Sequence, residues 1–537
     1  MKLQYLYPTI TAASMAVLLL SCSPSSTNEQ PSATASSTPA QQVTLPPAVV
    51  QGTGVPGTFE PTACRFALPD DPAEERRLQE GVDVECGYLV VPEDHSLPQG
   101  RTIRLAVAVF HRPGGAVYPD PVVYLSGGPG VTALELFRFE YEEMTQAVFA
   151  ASRDLLVFDQ RGVGLSRPAL DCPEFTEVTL DLLDEQVAGQ MVDDQQAADL
   201  ILGSVRTCRD RLSQVADLSL YNSTASAHDV DLLRQAFGFQ EVNLWGASYG
   251  TRLGLEVLRL HPEALRSVTL EAVYPPDVDL MAAVSGNFSR SLELLFDHCT
   301  ANPVCSQSYP DLRAVFFSTL AYLDANPAAI LLMDPFTGEE YPARMDGSTL
   351  LAIVFQVLYD SDLRYLLPKM IYAASQGDFT VFEHLRSSMI SLMKLTSRGM
   401  MFSVQCHEEV PFSSPRLVQE ELARHPELES MYRNNPQGTL NFDICQAWEI
   451  EPAGPSANQP VISDRPVLIL NGEFDPITPP AWGMQAAETL PNAYTFTYPG
   501  IGHGATGVDD CPAGMFTAFL LDPTRPPDAA CIAGMER

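Results

Sequence analysis

The chain has 537 residues, 45% of them hydrophobic and 18% charged, enough apolar material for a sizeable globular core. Asp and Glu number 67 against 32 Lys and Arg, a formal charge of −35. Such a surface repels nucleic-acid phosphates and anionic lipid, which excludes both as partners of the folded part and reads as a solvated, solubilising exterior.

From the N-terminus, Lys2 is followed by ITAASMAVLLLSC, an apolar stretch shorter than a bilayer span that reads as an export signal. It ends in LLSC, which resembles the lipobox of bacterial lipoproteins. The resemblance implies removal of residues 1–21 and lipidation of Cys22, with an ordinary signal peptide cut nearby as the alternative. The expectation is an exported protein on the periplasmic or extracellular face, touching the membrane only through that anchor. Residues 22–57 are rich in Ser, Thr, Pro, Ala and Gln, which cannot bury a core, and are expected to form a disordered tether.

Short apolar runs then recur at 88–91, 103–110, 121–126, 154–159, 241–246, 267–273, 466–472 and 493–498. Runs of this kind suit strands covered on both faces, as in a parallel sheet. Helical stretches lie between them, such as SAHDVDLLRQAFG at 226–238, and the alternation predicts an α/β fold. From 277 to 455 the sequence turns helical and irregular, the pattern of an inserted, mostly helical cap. The core is therefore expected in two parts, 58–276 and 456–537.

In NLWGASYGTRLG, Ser248 stands between Gly246 and Gly250, after one apolar run and before a helical one. That is the setting of a nucleophile elbow, where small residues allow a sharp turn that lifts the serine hydroxyl above a sheet. A serine nucleophile needs a base and an orienting acid, which follow here in the order Ser, Asp, His. Asp475, in LILNGEFDPITPP, directly follows a predicted strand, and His503, in YPGIGHGATG, follows the next one. His228 and His407 compete as bases but fall out of that order, and Asp464, Asp509 and Asp510 do not directly follow strands. YLSGGPG at 124–130 offers glycines through which main-chain N–H groups could approach an oxyanion. Asp159 and Arg161, in DQRGVGLSRP, read as a structural ion pair or as holders of loop shape.

Removing Cys22 from the 11 cysteines leaves ten, an even set that favours disulfides in an exported chain. Pairing neighbours in order gives Cys64–Cys86, Cys172–Cys208, Cys299–Cys305, Cys406–Cys445 and Cys511–Cys531. That is one of about a thousand possible connectivities. No zinc-spaced CxxC pair occurs, and neither a metal nor an organic cofactor is expected.

SGGPG at 126–130, DQRGVGLSRP at 159–168, GASYG at 246–250, GEFDPITPP at 472–480 and GIGHG at 500–504 together look like the proline iminopeptidase and tripeptidyl aminopeptidase family of α/β-hydrolases. The resemblance spans 60–275 and 456–537, the latter similar to the tripeptidyl-aminopeptidase-like module. It implies Ser248 as nucleophile, Asp475 as acid, His503 as base, and the N–H groups of Gly128 and Tyr249 as the oxyanion hole. Ser126 stands where proline iminopeptidases carry the histidine of HGGPG, which fits the tripeptidyl branch and departs from strict N-terminal proline specificity. The family also implies carboxylates near the cap that receive a peptide's free ammonium. Glu408 and Glu409 are the candidates, with a solvated acidic turn as the alternative for each. The function expected is a serine exopeptidase acting through an acyl-enzyme on peptides with a free N-terminus. A carboxylesterase or lipase on the same fold is the alternative, and an inactive hydrolase-like binding protein is disfavoured by the intact Ser, Asp and His.

Overall fold

A computed structural model describes residues 54–71, 76–187, 190–432 and 439–535. The export signal, Cys22 and the tether up to residue 53 lie outside the described residues. A nine-stranded sheet forms the centre. In chain order its strands are β1 (Phe59–Pro61), β2 (Val84–Pro92), β3 (Thr102–Phe110), β4 (Val122–Leu125), β5 (Leu155–Phe158), β6 (Val242–Ala247), β7 (Leu265–Glu271), β8 (Val467–Gly472) and β9 (Ala493–Tyr498).

Their spatial order is β1-β2-β3-β5-β4-β6-β7-β8-β9. The first three strands and the β3–β5 pair are antiparallel, and every pair from β5 to β9 is parallel. Strand β8 (VLILNG) is buried at all six positions, as expected of a parallel strand covered on both faces. The helices α1 (Ala133–Ala150), α2 (Ser223–Ala236) and α3 (Tyr249–Leu260) belong to this core. Helix α2 begins at Asn222, whose side chain accepts from the Ala225 amide and satisfies one of the free donors of the first turn.

All eight apolar runs form sheet strands. The antiparallel edge β1–β3 was not foreseen, and β1 was not read at all. Between β7 and β8 the chain builds a second, separately packed cluster of buried side chains, among them Phe288, Phe316, Leu350 and Val354. It contains α4 (Leu280–Ala301) and α5 (Gly347–Tyr359) with further helices, whereas α6 (Arg398–Glu408) packs with Leu170, Tyr249 and Trp448 in another cluster. The cluster of α4 and α5 also holds an antiparallel hairpin, Ala328–Met333 with Glu340–Met345. The hairpin lies inside the block read as helical and irregular.

The ten cysteines pair in chain order as five disulfides: 64–86, 172–208, 299–305, 406–445 and 511–531. Among the described residues no helix is long and apolar enough to cross a membrane.

Candidate active site

Ser248 sits at the turn between β6 and α3 with φ 56° and ψ −125°. A non-glycine residue in that region carries backbone strain, the conformation of a nucleophile elbow. Gly250 is required by closeness, since a Cβ there would lie 1.9 Å from the Leu125 carbonyl oxygen. The Ser248 amide donates to the Glu271 carbonyl at 3.1 Å, which ties the elbow to the end of β7.

Asp475 is fully buried after β8. Its carboxylate accepts from the Ile477 amide (3.0 Å), the Thr478 amide (2.8 Å) and the Thr478 hydroxyl (2.6 Å). The remaining contact is with His503 Nδ1, 2.8 Å from Asp475 Oδ2. The carboxylate is thus held by neutral donors from its own turn and directed at the imidazole. Thr478, which sequence reasoning passed over, also lies 3.2 Å from His503 Nδ1 through its hydroxyl. A Thr three residues after an Asp is a turn signal that could have found it.

Ser248 and His503 line one cavity of about 460 Å³, together with Gly127, Gly128, Tyr359 and the stretch Gly504–Val508. The loop of His503 is braced by Glu271, whose carboxylate accepts from the amides of Ala505 (3.0 Å) and Thr506 (3.1 Å) and from Trp245 Nε1 (2.8 Å). Gly127 packs against the serine: a Cβ there would fall 2.9 Å from Ser248 Cβ. Gly128 has φ 113°. The amides of Gly127 and Gly128 donate to no group among the described residues. Tyr249 opens α3, so its amide belongs to the first turn, which has no partner within the helix.

The cavity lining includes Glu140, Glu143, Glu271, Asp360 and Asp362, and no Lys or Arg. Burial, helped by Glu143 and Glu271, pushes the Glu140 carboxyl up to about 7. Burial likewise raises Glu143, Asp360 and Asp362.

Glu408 and Glu409 are neither in that lining nor solvated. They are 4% and 7% exposed at the end of α6, behind the elbow helix. Glu408 accepts from the Ser223 hydroxyl and, at 3.3 Å, from the Ser223 amide at the start of α2. It lies 4.0 Å from Arg252 Nε of α3. Neither carboxylate oxygen of Glu409 has a hydrogen-bond partner within 3.5 Å. Burial pushes Glu409 up to about 7, opposed by Arg252 and more weakly by the Tyr274 hydroxyl. The solvated acidic turn does not hold for these residues, because long-range packing against α2 and α3 encloses them.

Asp159 and Arg161 do not pair with one another. Asp159 accepts the amides of Ala133 (2.8 Å) and Leu134 (3.1 Å) at the start of α1, where a carboxylate is favoured. Arg161 instead grips Asp229 at 2.7 Å. Of the rival bases, His228 bonds His261 at 2.9 Å and His407 bonds the Glu451 carbonyl at 2.7 Å; neither lines the cavity.

A family model described as alpha/beta hydrolase fold matches residues 120–329, which span the elbow. The chain has the α/β-hydrolase fold. A second model, described as TAP-like protein, matches residues 431–531 and takes in Asp475 and His503. This hydrolase is 24% identical over 469 residues to the serine protease Hip1 of Mycobacterium tuberculosis, covering 83% of this chain and 86% of that one. It is 31% identical over 198 residues to the tripeptidyl aminopeptidase of Streptomyces lividans, 36% of each chain. A crystal structure of proline iminopeptidase from Mycobacterium smegmatis aligns over 81% of this chain and 98% of that one, at 15% identity and a TM-score of 0.36.

Proposed function

We propose that this hydrolase is a serine exopeptidase that cleaves peptides near a free N-terminus. The observation that carries the reading is the opening of Ser248, on its strained elbow, into the same cavity as an imidazole held by buried Asp475. In this mechanism His503 takes the Ser248 proton as the hydroxyl attacks the scissile carbonyl, then returns it to the leaving amine. Asp475 fixes the tautomer that leaves Nε2 free for that exchange. The oxyanion meets the amides of Tyr249 and of the Gly127–Gly128 turn, with Gly128 and Tyr249 as the donors the motifs suggest. Water then hydrolyses the acyl-enzyme with His503 as base.

The peptide preference is supported by the relatives' printed names and by the lining. Glu140, Glu143, Asp360 and Asp362 form no ion pair among the described residues, so a substrate's ammonium meets acidic groups there with no competing cation. Export and lipidation at Cys22 complete the reading, with a domain division at 58–276, 277–455 and 456–537; labelling by a palmitate analogue that Cys22→Ala abolishes would support the anchor.

The deciding experiment compares Ala-Ala-Pro-, Pro- and acyl-ester chromogenic substrates on the purified protein and on Ser248→Ala. Amide turnover that vanishes in Ser248→Ala is expected. Ester turnover alone would move the assignment to a carboxylesterase, and activity surviving in Ser248→Ala would overturn the triad.

A further inference from the structure

The loop that carries His503 leans on the cap as well as on the sheet. The His503 amide donates to the Tyr359 carbonyl at 2.8 Å, and the Gly502 amide donates to the Ser361 hydroxyl at 2.9 Å. Arg364 Nε donates to the Gly500 carbonyl at 3.1 Å, while its guanidinium lies 4.2 Å from the ring centroid of Phe474, the residue before Asp475. The Tyr359 ring lies 4.4 Å from the imidazole. Gly502 is glycine for this docking: a Cβ there would meet the Tyr359 carbonyl oxygen at 2.4 Å. Three points of the base loop, Gly500, Gly502 and His503, are thus fixed by one cap segment, residues 359–364.

Residues 359–363 of the same segment also line the catalytic cavity. One stretch of cap therefore touches the space a substrate fills and the backbone that aims the base. From this juxtaposition we infer that the 359–364 segment is a positioning strap: it sets the imidazole against Ser248, so that cap–substrate contacts are expressed in kcat as well as in KM. Ser361 and Arg364 are positioning residues that act through His503. The inference rests on His503 being the base of the proposed reaction.

An imidazole displaced by a fraction of an ångström is poorly aligned for proton transfer, and an ångström of misplacement can cost a hundredfold in rate. Ser361→Ala removes the acceptor of the Gly502 amide, whereas Ser361→Thr keeps a hydroxyl there. The test measures kcat and KM on the chromogenic peptide that the wild type turns over best, with the second-order rate of Ser248 labelling by a fluorophosphonate and the thermal midpoint. Ser361→Ala and Arg364→Ala are each expected to lower kcat and labelling about tenfold, within the range that misplacement allows, with KM changed less than about twofold. Ser361→Thr and Arg364→Lys are expected to recover most of the loss. Wild-type kcat and labelling in both alanine variants would overturn the strap. So would a loss confined to KM, or one that the threonine and lysine variants share in full. If Ser361→Ala or Arg364→Ala is too unstable to assay, the Thr and Lys variants decide alone, and a tenfold fall in kcat in both at an unchanged thermal midpoint would refute it. Activity retained by Ser248→Ala would overturn the triad, a result distinct from each of these.

Discussion

Replacing Glu409 by Gln separates a buried, proton-holding carboxyl from a ligand for substrate. The side chain is 7% exposed and neither oxygen has a hydrogen-bond partner within 3.5 Å, so burial makes ionising it costly and Arg252 and Tyr274 offset only part of that cost. Its folded value of about 7 stands against 4.5 for the free group. The sign follows from proton counting. Between those values the folded chain holds a proton that the unfolded chain has lost, so stability falls as pH rises. The contribution is fully present below about pH 4.5 and gone above about pH 7. At about 1.4 kcal/mol per unit, the change between pH 5 and pH 8 is about 2–3 kcal/mol. Glutamine has nearly the same shape and no proton to lose. Glu409→Gln should match the wild type near pH 5 and be more stable at pH 8 by that amount, read as the pH-dependent difference in denaturation midpoints. Because the residue lies outside the cavity lining, hydrolysis of free-amine and N-acetylated substrates should each stay within about twofold of wild type, since no transition-state contact is lost. Parallel pH–stability curves would refute the reasoning about burial. A selective loss on free-amine substrates would restore Glu409 as an ammonium ligand.

Asp475→Asn keeps an oxygen for the amides of Ile477 and Thr478 but presents no carboxylate to His503; kcat should fall on the order of 10⁴-fold with the fold intact by circular dichroism. A fall under tenfold in the kinetic assay would remove Asp475 from the triad. Replacing Cys172 and Cys208 together by Ala opens a cross-link that joins residues 36 positions apart, and loop entropy sets the loss at about 4 kcal/mol. A thermal midpoint unchanged in the double variant would contradict that account.

Much of this was legible because local pattern and tertiary role coincide. The buried strands of the parallel region carry apolar residues at successive positions, as in VLILNG, so length and flanking turns sufficed. Chain order placed Ser248, Asp475 and His503 after the core strands β6, β8 and β9, whose carboxyl ends the sheet then brings to one edge. The hairpin at 328–345 was hidden because its exposed positions are also apolar: Leu331 and Met333 are each 51% exposed, which erases the alternation a half-buried strand should show. Strand β1, Phe59–Pro61, is too short and ends in a proline, leaving no period to read. The environment of Glu408 and Glu409 depends on Ser223 and Arg252, more than 150 positions away, and no local pattern carries such contacts. Glu271 was missed, and Gly127 not singled out within 124–130, for the same reason, since support of Ala505 and closeness to Ser248 exist only once β4, β6 and β7 lie side by side.

The order of the five disulfides bears on how the chain is made. Each cysteine's partner is the next cysteine in the core or cap sequence, and the widest separation is 39 residues. A polypeptide threading through a membrane from its N-terminus offers every such cysteine its mate before the following pair emerges. Oxidation that keeps step with translocation would then yield these same pairs from nearest neighbours.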